Sequence, residues 1–214
     1  TFRLAYAKRP EDVGMNSKVL NKIDKIAAEA IRGGATPGCQ ILVVKDGKVA
    51  FHKAYGYFTY AKRRKVRTND IYDLASVTKV AATTLSIMKL YEEGKIDINK
   101  RLSYYLPELQ GTNKEYLVIK EILAHQSGLK PWIPFYKSTL TDDNKPDDKF
   151  YKVRPNGDYC VRISEGVYFC KSKTDSVVWQ RIYDQDLKSN KNYTYSDLGF
   201  YLFTKLVADS LNKG

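Results

Sequence analysis

The spacing of apolar residues along this chain changes from helical to strand-like and back to helical. This order limits the folds that the chain can adopt. Residues 16–32, NSKVLNKIDKIAAEAIR, have helical spacing between a capping Asn16 or Ser17 and a terminating Gly33–Gly34. Two β-rich runs follow within CQILVVKDGKVAFHKAYGY and join at Asp46–Gly47, a favoured hairpin turn. Helical patterns dominate after that point. A helix, then a hairpin, then further helices predicts an α+β fold rather than alternating βα units.

The remainder of the chain predicts three helices and one irregular segment. The helices lie at residues 77–93, 117–124 and 196–213. The first begins with the almost uncharged stretch VAATTLSIMKL, so we expect it to be central and buried. Residues 131–192 are rich in Tyr, Lys, Asp and Pro with weak periodicity, which favours a loop-and-hairpin insertion over core. The hairpin at 39–59 is marginal alone and needs further strands or a helical cover.

Composition excludes several functional classes. The net charge of +12 comes from basic residues spread along the chain, with one dense cluster, KRRK at 62–65. No nucleic-acid-reading module accompanies the charge, so we expect no nucleic-acid partner; a solvated basic face or attraction to an anionic cell envelope remains open. No apolar run approaches the ~20 residues of a membrane helix. The three cysteines and two histidines show no metal-ligand spacing, so we expect neither metal nor cofactor.

Two of the cysteines flank a predicted hairpin. Cys160 and Cys170 bracket VRISEGVYF, which turns near residues 164–166. A three-residue turn would place the two cysteines opposite each other, so a cross-strand disulfide and a pair of free thiols both remain open. Cys39 lies in an apolar run and is expected to be a small buried residue.

The stretch YDLASVTK places Ser76 where the 77–93 helix begins and Lys79 one turn later. Residues i and i+3 share a helix face, so the two side chains can touch. A serine hydroxyl needs a base or a nearby positive charge to become nucleophilic, and the amides of a first helical turn favour developing negative charge. A partly desolvated lysine loses affinity for its proton and can transfer protons. The spacing alone also fits a capping serine beside an exposed lysine.

Four stretches in order give the chain a family resemblance: LASVTK, LYEEGKIDINKRLSYYLPEL, ILAHQSGL at 122–129 and YTYSDLGF at 193–200. They resemble the serine β-lactamase and penicillin-binding-protein-like family, and the class C and esterase branch most closely. The resemblance covers about residues 15–130 and 193–211. It implies a β-lactamase/transpeptidase-like fold, in which a helical subdomain packs with an antiparallel sheet.

The resemblance also implies roles for site residues. Ser76 would be the nucleophile, next to Lys79, and Tyr195 of Tyr195–Ser196–Asp197 would exchange protons with the serine and the leaving group. Asp197 stands where the family has asparagine, so it would accept hydrogen bonds where the amide can donate to a substrate carbonyl. It could bind Lys79 or cap a helix, and we expect the change to affect substrate preference. The implied function is a serine hydrolase that forms an acyl-enzyme with β-lactam, D-Ala peptide or ester substrates.

The third element of the family, a Lys-Thr-Gly or His-x-Gly strand that lines the site, is not identified in this sequence. Lys173–Thr174 precedes the tyrosine motif and lacks the glycine. We therefore expect residues 1–214 to form one β-lactamase-like domain without its C-terminal part, with an incomplete sheet, impaired activity and 131–192 as a lid over the pocket. The alternative is a catalytically inert binding or scaffold module of the same fold.

Further partners follow from context. RPEDVGM and GGATPGCQILVVKDGKV resemble members of this family fused downstream of a glycoside hydrolase module in large secreted bacterial proteins. We expect a small-molecule or peptidoglycan-type substrate and a periplasmic, secreted or cell-envelope location. A homo-oligomer through an open sheet edge, and fusion to a glycoside hydrolase module, are further expectations.

Overall fold

A computed structural model of the protein describes residues 4–211, and these form two compact units that divide between Asp73 and Leu74. The elements of the first unit are β1 (Ala5–Tyr6), α1 (Ser17–Leu20), α2 (Lys22–Arg32), β2 (Gly38–Lys45) and β3 (Lys48–Gly56). Its sheet has the order β1-β3-β2, with β1 parallel and β2 antiparallel to β3. The predicted hairpin is therefore confirmed, and β1 supplies a third strand.

Local chemistry explains the hairpin and the helix before it. Asp46 and Gly47 both have left-handed backbone angles, with φ of 50° and 70°, as the favoured two-residue turn requires. Asn16 caps α1 by accepting a hydrogen bond from the amide of Val19 at 3.1 Å. Asp24 of α2 lies 2.8 Å from Lys53 Nζ on β3, which ties the helix to the sheet.

The second unit contains mostly helices. Its elements are a π-helical turn (Lys79–Thr84), α3 (Leu85–Glu92), α4 (Ile119–Leu123), β4 (Tyr151–Lys152), β5 (Val161–Ser164), β6 (Val167–Phe169), a second π-helical turn (Asp175–Trp179), α5 (Gln180–Tyr183) and α6 (Leu198–Leu211). Short 3-10 turns lie at Leu102–Tyr104, Pro107–Leu109, Phe135–Thr139 and Lys171–Lys173. The strands form a separate antiparallel sheet, β4-β6-β5. Helices with two small sheets confirm the α+β class.

The core of the second unit forms around α6. Its Leu198, Leu202 and Phe203 are fully buried, and they belong to one cluster with residues of α3, α4 and the 3-10 turns. Such a cluster fixes the start of α6, where the YSD motif lies, against the segment that follows α4. The predicted helix at 196–213 begins two residues later than expected, and residues 212–213 lie outside the described part of the chain.

Two expectations about burial are wrong. The 77–93 helix is not buried: Val80 is 63% exposed and Met88 58%, because only one stripe of the helix, containing Ile87 and Leu90, packs on the core. Residues 131–192 do include the predicted hairpin, but they also contribute to the core. Ile182 of α5 is fully buried there, so the irregular composition of this segment hid a packed helical part.

The cysteines are free thiols in this structure. Cys160 is exposed, whereas Cys170 is buried and its thiol lies 2.8 Å from Oδ2 of Asp158. Cys39 is only partly buried, so the expectation of a fully buried residue is wrong. Within residues 4–211, no helix is both long enough and apolar enough to span a bilayer.

The close approach of α4 and α6 depends on Gly199. A Cβ at this position would collide with Cγ2 of Ile122 and touch Leu129, so Gly199→Ala forces overpacking. We expect the free energy of unfolding, measured by urea titration, to fall by about 1–3 kcal/mol. Ile122→Ala removes the obstructing methyl, so the double variant should lose clearly less than the sum of the two single losses. Strict additivity would contradict this account of the glycine.

Candidate active site

Ser76 and Lys79 lie at the turn that begins the π-helical segment. The amide of Lys79 donates to the Ser76 carbonyl at 3.0 Å, and this turn brings Lys79 Nζ within 3.1 Å of Ser76 Oγ. Ala75, immediately before the serine, has a left-handed φ of 42°, an unfavourable angle for alanine that is typical of functional turns. The serine side chain therefore sits on a sharp bend beside the ammonium group, as the sequence spacing predicts.

Tyr195 is carried by a turn that the loop after α4 holds in place. The loop, residues 125–131, supplies backbone acceptors along the turn. For example, the Asp197 amide donates to the Pro131 carbonyl at 2.8 Å. The hydroxyl of Ser196 is buried and donates within the same loop. These contacts connect two stretches about 70 residues apart in sequence and direct the phenol toward the serine.

The three predicted side chains meet at one point. Ser76 and Lys79 both lie close enough to the phenol of Tyr195 to lower its pKa through hydrogen bonding. The Lys79 ammonium also lies 5.0 Å from the centre of the Tyr195 ring, within the range of a cation–π contact. The arrangement thus places a phenol and an ammonium on a single serine hydroxyl.

Asp197 supplies the negative charge of the site. Its Oδ1 lies 2.5 Å from Lys79 Nζ in an ion pair. This oxygen is shielded from solvent and has no well-directed hydrogen bond within the described part of the chain, so the ammonium is its main stabilising contact. The lysine side chain is only 14% exposed, which strengthens the pairing relative to a surface ion pair. One of the two expected roles of Asp197, binding Lys79, is therefore seen in the geometry.

The electrostatics of Lys79 differ from the sequence-based expectation. Burial on its own would lower the lysine pKa, but the hydrogen bonds to Asp197 and Tyr195 and the Asp197 charge outweigh it and raise the pKa. The expectation that desolvation loosens the proton of Lys79 is wrong here. The sequence could not show this, because the effect depends on an ion pair formed across more than 100 residues.

Tyr195 is the group whose pKa is lowered. Hydrogen bonds from Ser76 and Lys79 lower the pKa of the phenol, against the opposing effects of burial and of Asp197. With the lysine pKa raised and the tyrosine pKa lowered, the phenol gives up its proton more readily than the ammonium does.

A cleft of about 370 Å³ adjoins the site. Ser76, Lys79 and Asp197 line it together with Phe200 and Tyr201 of α6. Across residues 4–211, no group of three His, Cys, Asp or Glu side chains is arranged to hold a metal ion.

Sequence reasoning missed the part that His125 plays in this site. The residue belongs to the ILAHQSGL stretch, which gave only a resemblance. In the structure its ring lies between Tyr193, Tyr195 and Phe200. Its neighbours in sequence gave no signal of these contacts, which are all with residues about 70 positions away.

Comparison with known proteins identifies the family. A family model described as Beta-lactamase matches residues 23–213. The chain belongs to the beta-lactamase family. This confirms the resemblance read from the motifs and the β-lactamase/transpeptidase-like fold.

Individual relatives of this beta-lactamase-family chain cover it to different extents. The N-acetylmuramyl-L-alanine amidase of Bacillus subtilis (strain 168) is 26% identical over 210 residues, which are 92% of this chain and 42% of the amidase. Protein Flp of Staphylococcus aureus (strain NCTC 8325 / PS 47) is 37% identical over 136 residues, 62% of this chain and 27% of Flp. A solved class C beta-lactamase aligns with a TM-score of 0.65 at 18% identity, covering 97% of this chain and 47% of that structure. The chain spans less than half the length of each.

Replacing Asp197 tests the charge arrangement of the site. Asp197→Asn removes the carboxylate that raises the lysine pKa, so the pKa of Lys79 should fall. An NMR titration of the Lys79 Cε and Nζ resonances measures it. Asp209→Asn is the matched control, since Asp209 lies on α6, the helix that follows Asp197, but pairs with Lys205 at 3.7 Å. A Lys79 pKa that stays constant or rises in Asp197→Asn would show that the ion pair does not control the ammonium.

Proposed function

We propose that this chain is a serine hydrolase of the acyl-transfer type, in which Ser76 attacks an ester, amide or β-lactam carbonyl and forms an acyl-enzyme. The observation that carries the proposal is the meeting of Lys79 and Tyr195 at the Ser76 hydroxyl. A hydroxyl with an adjacent base and an oriented cation is the arrangement that nucleophilic catalysis requires. Membership of the beta-lactamase family supports the same class of reaction.

The pKa directions assign the proton transfers. Tyr195, as phenolate, accepts the proton of Ser76 while Oγ bonds to the carbonyl carbon. Lys79 remains an ammonium throughout and stabilises first the phenolate and then the developing negative charge. Tyr195 next returns the proton to the leaving group, which departs and leaves an ester on Ser76. Water then attacks that ester while the phenolate accepts its proton. Tyr195 returns this proton to Ser76 Oγ as the bond to the acyl group breaks, which releases the acid product and regenerates Ser76.

Asp197 determines which kind of substrate group the site can contact at this position. Its Oδ1 contacts Lys79, and an ionised carboxylate cannot donate a hydrogen bond to a substrate carbonyl. We infer that substrates whose recognition needs an amide donor at this position bind less well here than substrates that present a donor. The relative named N-acetylmuramyl-L-alanine amidase supports a peptidoglycan-type substrate and a cell-envelope or secreted location.

Residues 131–192 are proposed as an insertion beside the cleft. Phe135 packs against Tyr201 with ring centres 5.8 Å apart, and Tyr201 lines the cleft. The neighbouring turn is anchored by Arg181, whose Nη1 donates to the Ser138 hydroxyl at 2.7 Å. The insertion is thus positioned to shape the part of the pocket that receives the substrate.

One observation favours a second candidate, an inert binding module of the same fold. The ion pair with Asp197 offsets the positive charge of Lys79, which would otherwise stabilise the negative charge that develops on a substrate. In that case the cleft would hold a ligand without forming a covalent bond to Ser76.

Covalent labelling separates the two candidates. We expect a fluorophosphonate to add one phosphonyl group to the 214-residue chain, located on Ser76 by mass spectrometry, because phosphonylation needs the same activated hydroxyl. Ser76→Ala should abolish the adduct. Ser86→Ala is the matched control, since Ser86 lies on the adjoining helix and its hydroxyl donates to the Ala82 carbonyl, and it should label like the parent chain. A folded parent chain that stays unlabelled would favour the binding module.

Removing the phenol oxygen tests its role as the base. Tyr195→Phe keeps the ring but loses the proton acceptor, so we expect the rate of Ser76 phosphonylation to fall by about 10²–10⁴-fold. Tyr193→Phe should leave the rate unchanged, since Tyr193 is 66% exposed and the substitution keeps the ring that packs on His125. Equal rates in the two variants would remove Tyr195 from the mechanism.

A further inference from the structure

We propose that His125 is the positioning residue for Tyr195: its neutral imidazole and its backbone together hold the turn that aims the phenol at Ser76. The idea rests on the proposed function, because His125 touches no reacting atom and acts only through the tyrosine. It extends that function by assigning a task to a residue that acts on Tyr195 rather than on Ser76 or the substrate.

His125 binds the backbone on both sides of Tyr195. The amide of Thr194 donates to the His125 carbonyl at 2.9 Å, and the amide of Ser196 donates to His125 Nδ1 at 3.1 Å. The residues before and after the tyrosine are therefore both attached to His125. Rotation of the turn, which would swing the phenol away from the serine, must break at least one of these bonds.

The hydrogen bond from Ser196 determines the protonation state of the ring. Because Nδ1 accepts from an N–H group, it carries no proton, and the proton of the neutral imidazole lies on Nε2. In the imidazolium form, Nδ1 would carry a proton and point a donor at another donor. Protonation of His125 is thus incompatible with the turn as it stands.

The ring of His125 also restricts the tyrosine side chain. Its centre lies 4.6 Å from the Tyr195 ring centre and 5.4 Å from that of Phe200. Tyr193 packs edge-on at 5.9 Å. The phenol ring thus packs on His125 while Tyr195 remains 43% exposed, and this contact favours the orientation that brings its oxygen to Ser76 and Lys79.

The backbone of His125 is held in an uncommon conformation. Its φ of 56° lies in the left-handed region, where Asn, Asp and His are the non-glycine residues most often found. Its amide still bonds to the Ile122 carbonyl at 3.0 Å, so the residue turns the chain sharply after α4. This bend points both the carbonyl and the side chain toward the Tyr195 turn, which a residue with an ordinary φ would not do.

The surrounding charges keep the imidazole neutral. Burial lowers the pKa of His125, the Lys79 ammonium lowers it further, and Asp197 acts in the opposite direction. Tyr193 and Tyr195 are the other titratable groups against the ring. Because the folded-state pKa lies below the ordinary value of 6.5, the turn is stabilised at neutral pH, and this stabilisation is lost as the pH falls through the lowered pKa.

Two substitutions separate the hydrogen bond from the packing. His125→Asn offers a side-chain oxygen to the Ser196 amide and tolerates the left-handed φ, but it lacks the titrating ring. His125→Phe keeps a ring against Tyr195 but has no acceptor. The measured quantity is the pKa of Tyr195, obtained by NMR on protein labelled at the tyrosine Cζ atoms. The resonance of Tyr195 is assigned as the one that is missing from the spectrum of Tyr195→Phe.

We expect His125→Phe to return the Tyr195 pKa toward its ordinary value of 10.0 and to slow Ser76 phosphonylation by about 100-fold, as a misplaced catalytic group does. His125→Asn should keep the lowered Tyr195 pKa and most of the rate. The nitrogen NMR spectrum of the parent chain should show His125 protonated only on Nε2 at pH 7.

Several results would overturn the proposal. A proton on Nδ1 would do so, as would an unchanged Tyr195 pKa in folded His125→Phe. If His125→Phe does not fold, a Tyr195 pKa near 10.0 in folded His125→Asn would show that the acceptor does not position the phenol. If the parent chain fails to label while the Tyr195 pKa follows these expectations, the proposed hydrolase function fails and the positioning role of His125 stands.

Discussion

The site depends on the contacts that the Lys79 ammonium makes. It donates to Ser76 Oγ at 3.1 Å, lies 2.5 Å from Asp197 Oδ1 and hydrogen-bonds to the phenol of Tyr195. A single, largely buried cation therefore organises three side chains that come from two distant parts of the sequence. Because Asp197 raises the pKa of Lys79 while the pKa of Tyr195 is lowered, the proposed mechanism assigns the proton exchange to the phenol.

Packing of distant segments, rather than the local sequence, brings these side chains together. α6 is anchored through fully buried leucines, and Gly199 allows α4 to approach it closely. The loop after α4 then runs beside the turn that precedes α6, so that backbone carbonyls and the His125 ring hold the tyrosine. Core packing, the hydrogen-bonded loop and Ser76 thus form one continuous chain of contacts within residues 74–211.

Local chemistry made part of this predictable. The Asp46–Gly47 hairpin and the reach of Lys79 to Ser76 follow from turn preferences and helical spacing, and both are present in the structure. Tyr195 could be assigned only through family resemblance, because nothing in its neighbourhood encodes a contact with a residue more than 100 positions earlier. The raised pKa of Lys79 and the exposure of Val80 were not predictable, since both depend on which surfaces pack together.

The most direct test is a crystal structure of the 214-residue chain after reaction with a fluorophosphonate. The account predicts continuous density from Ser76 Oγ to the phosphorus, with Lys79 Nζ and Tyr195 Oη both within about 3.2 Å of the phosphonylated oxygen or its substituents. An adduct on another residue, or a phenol rotated away from Ser76 with water in its place, would contradict it.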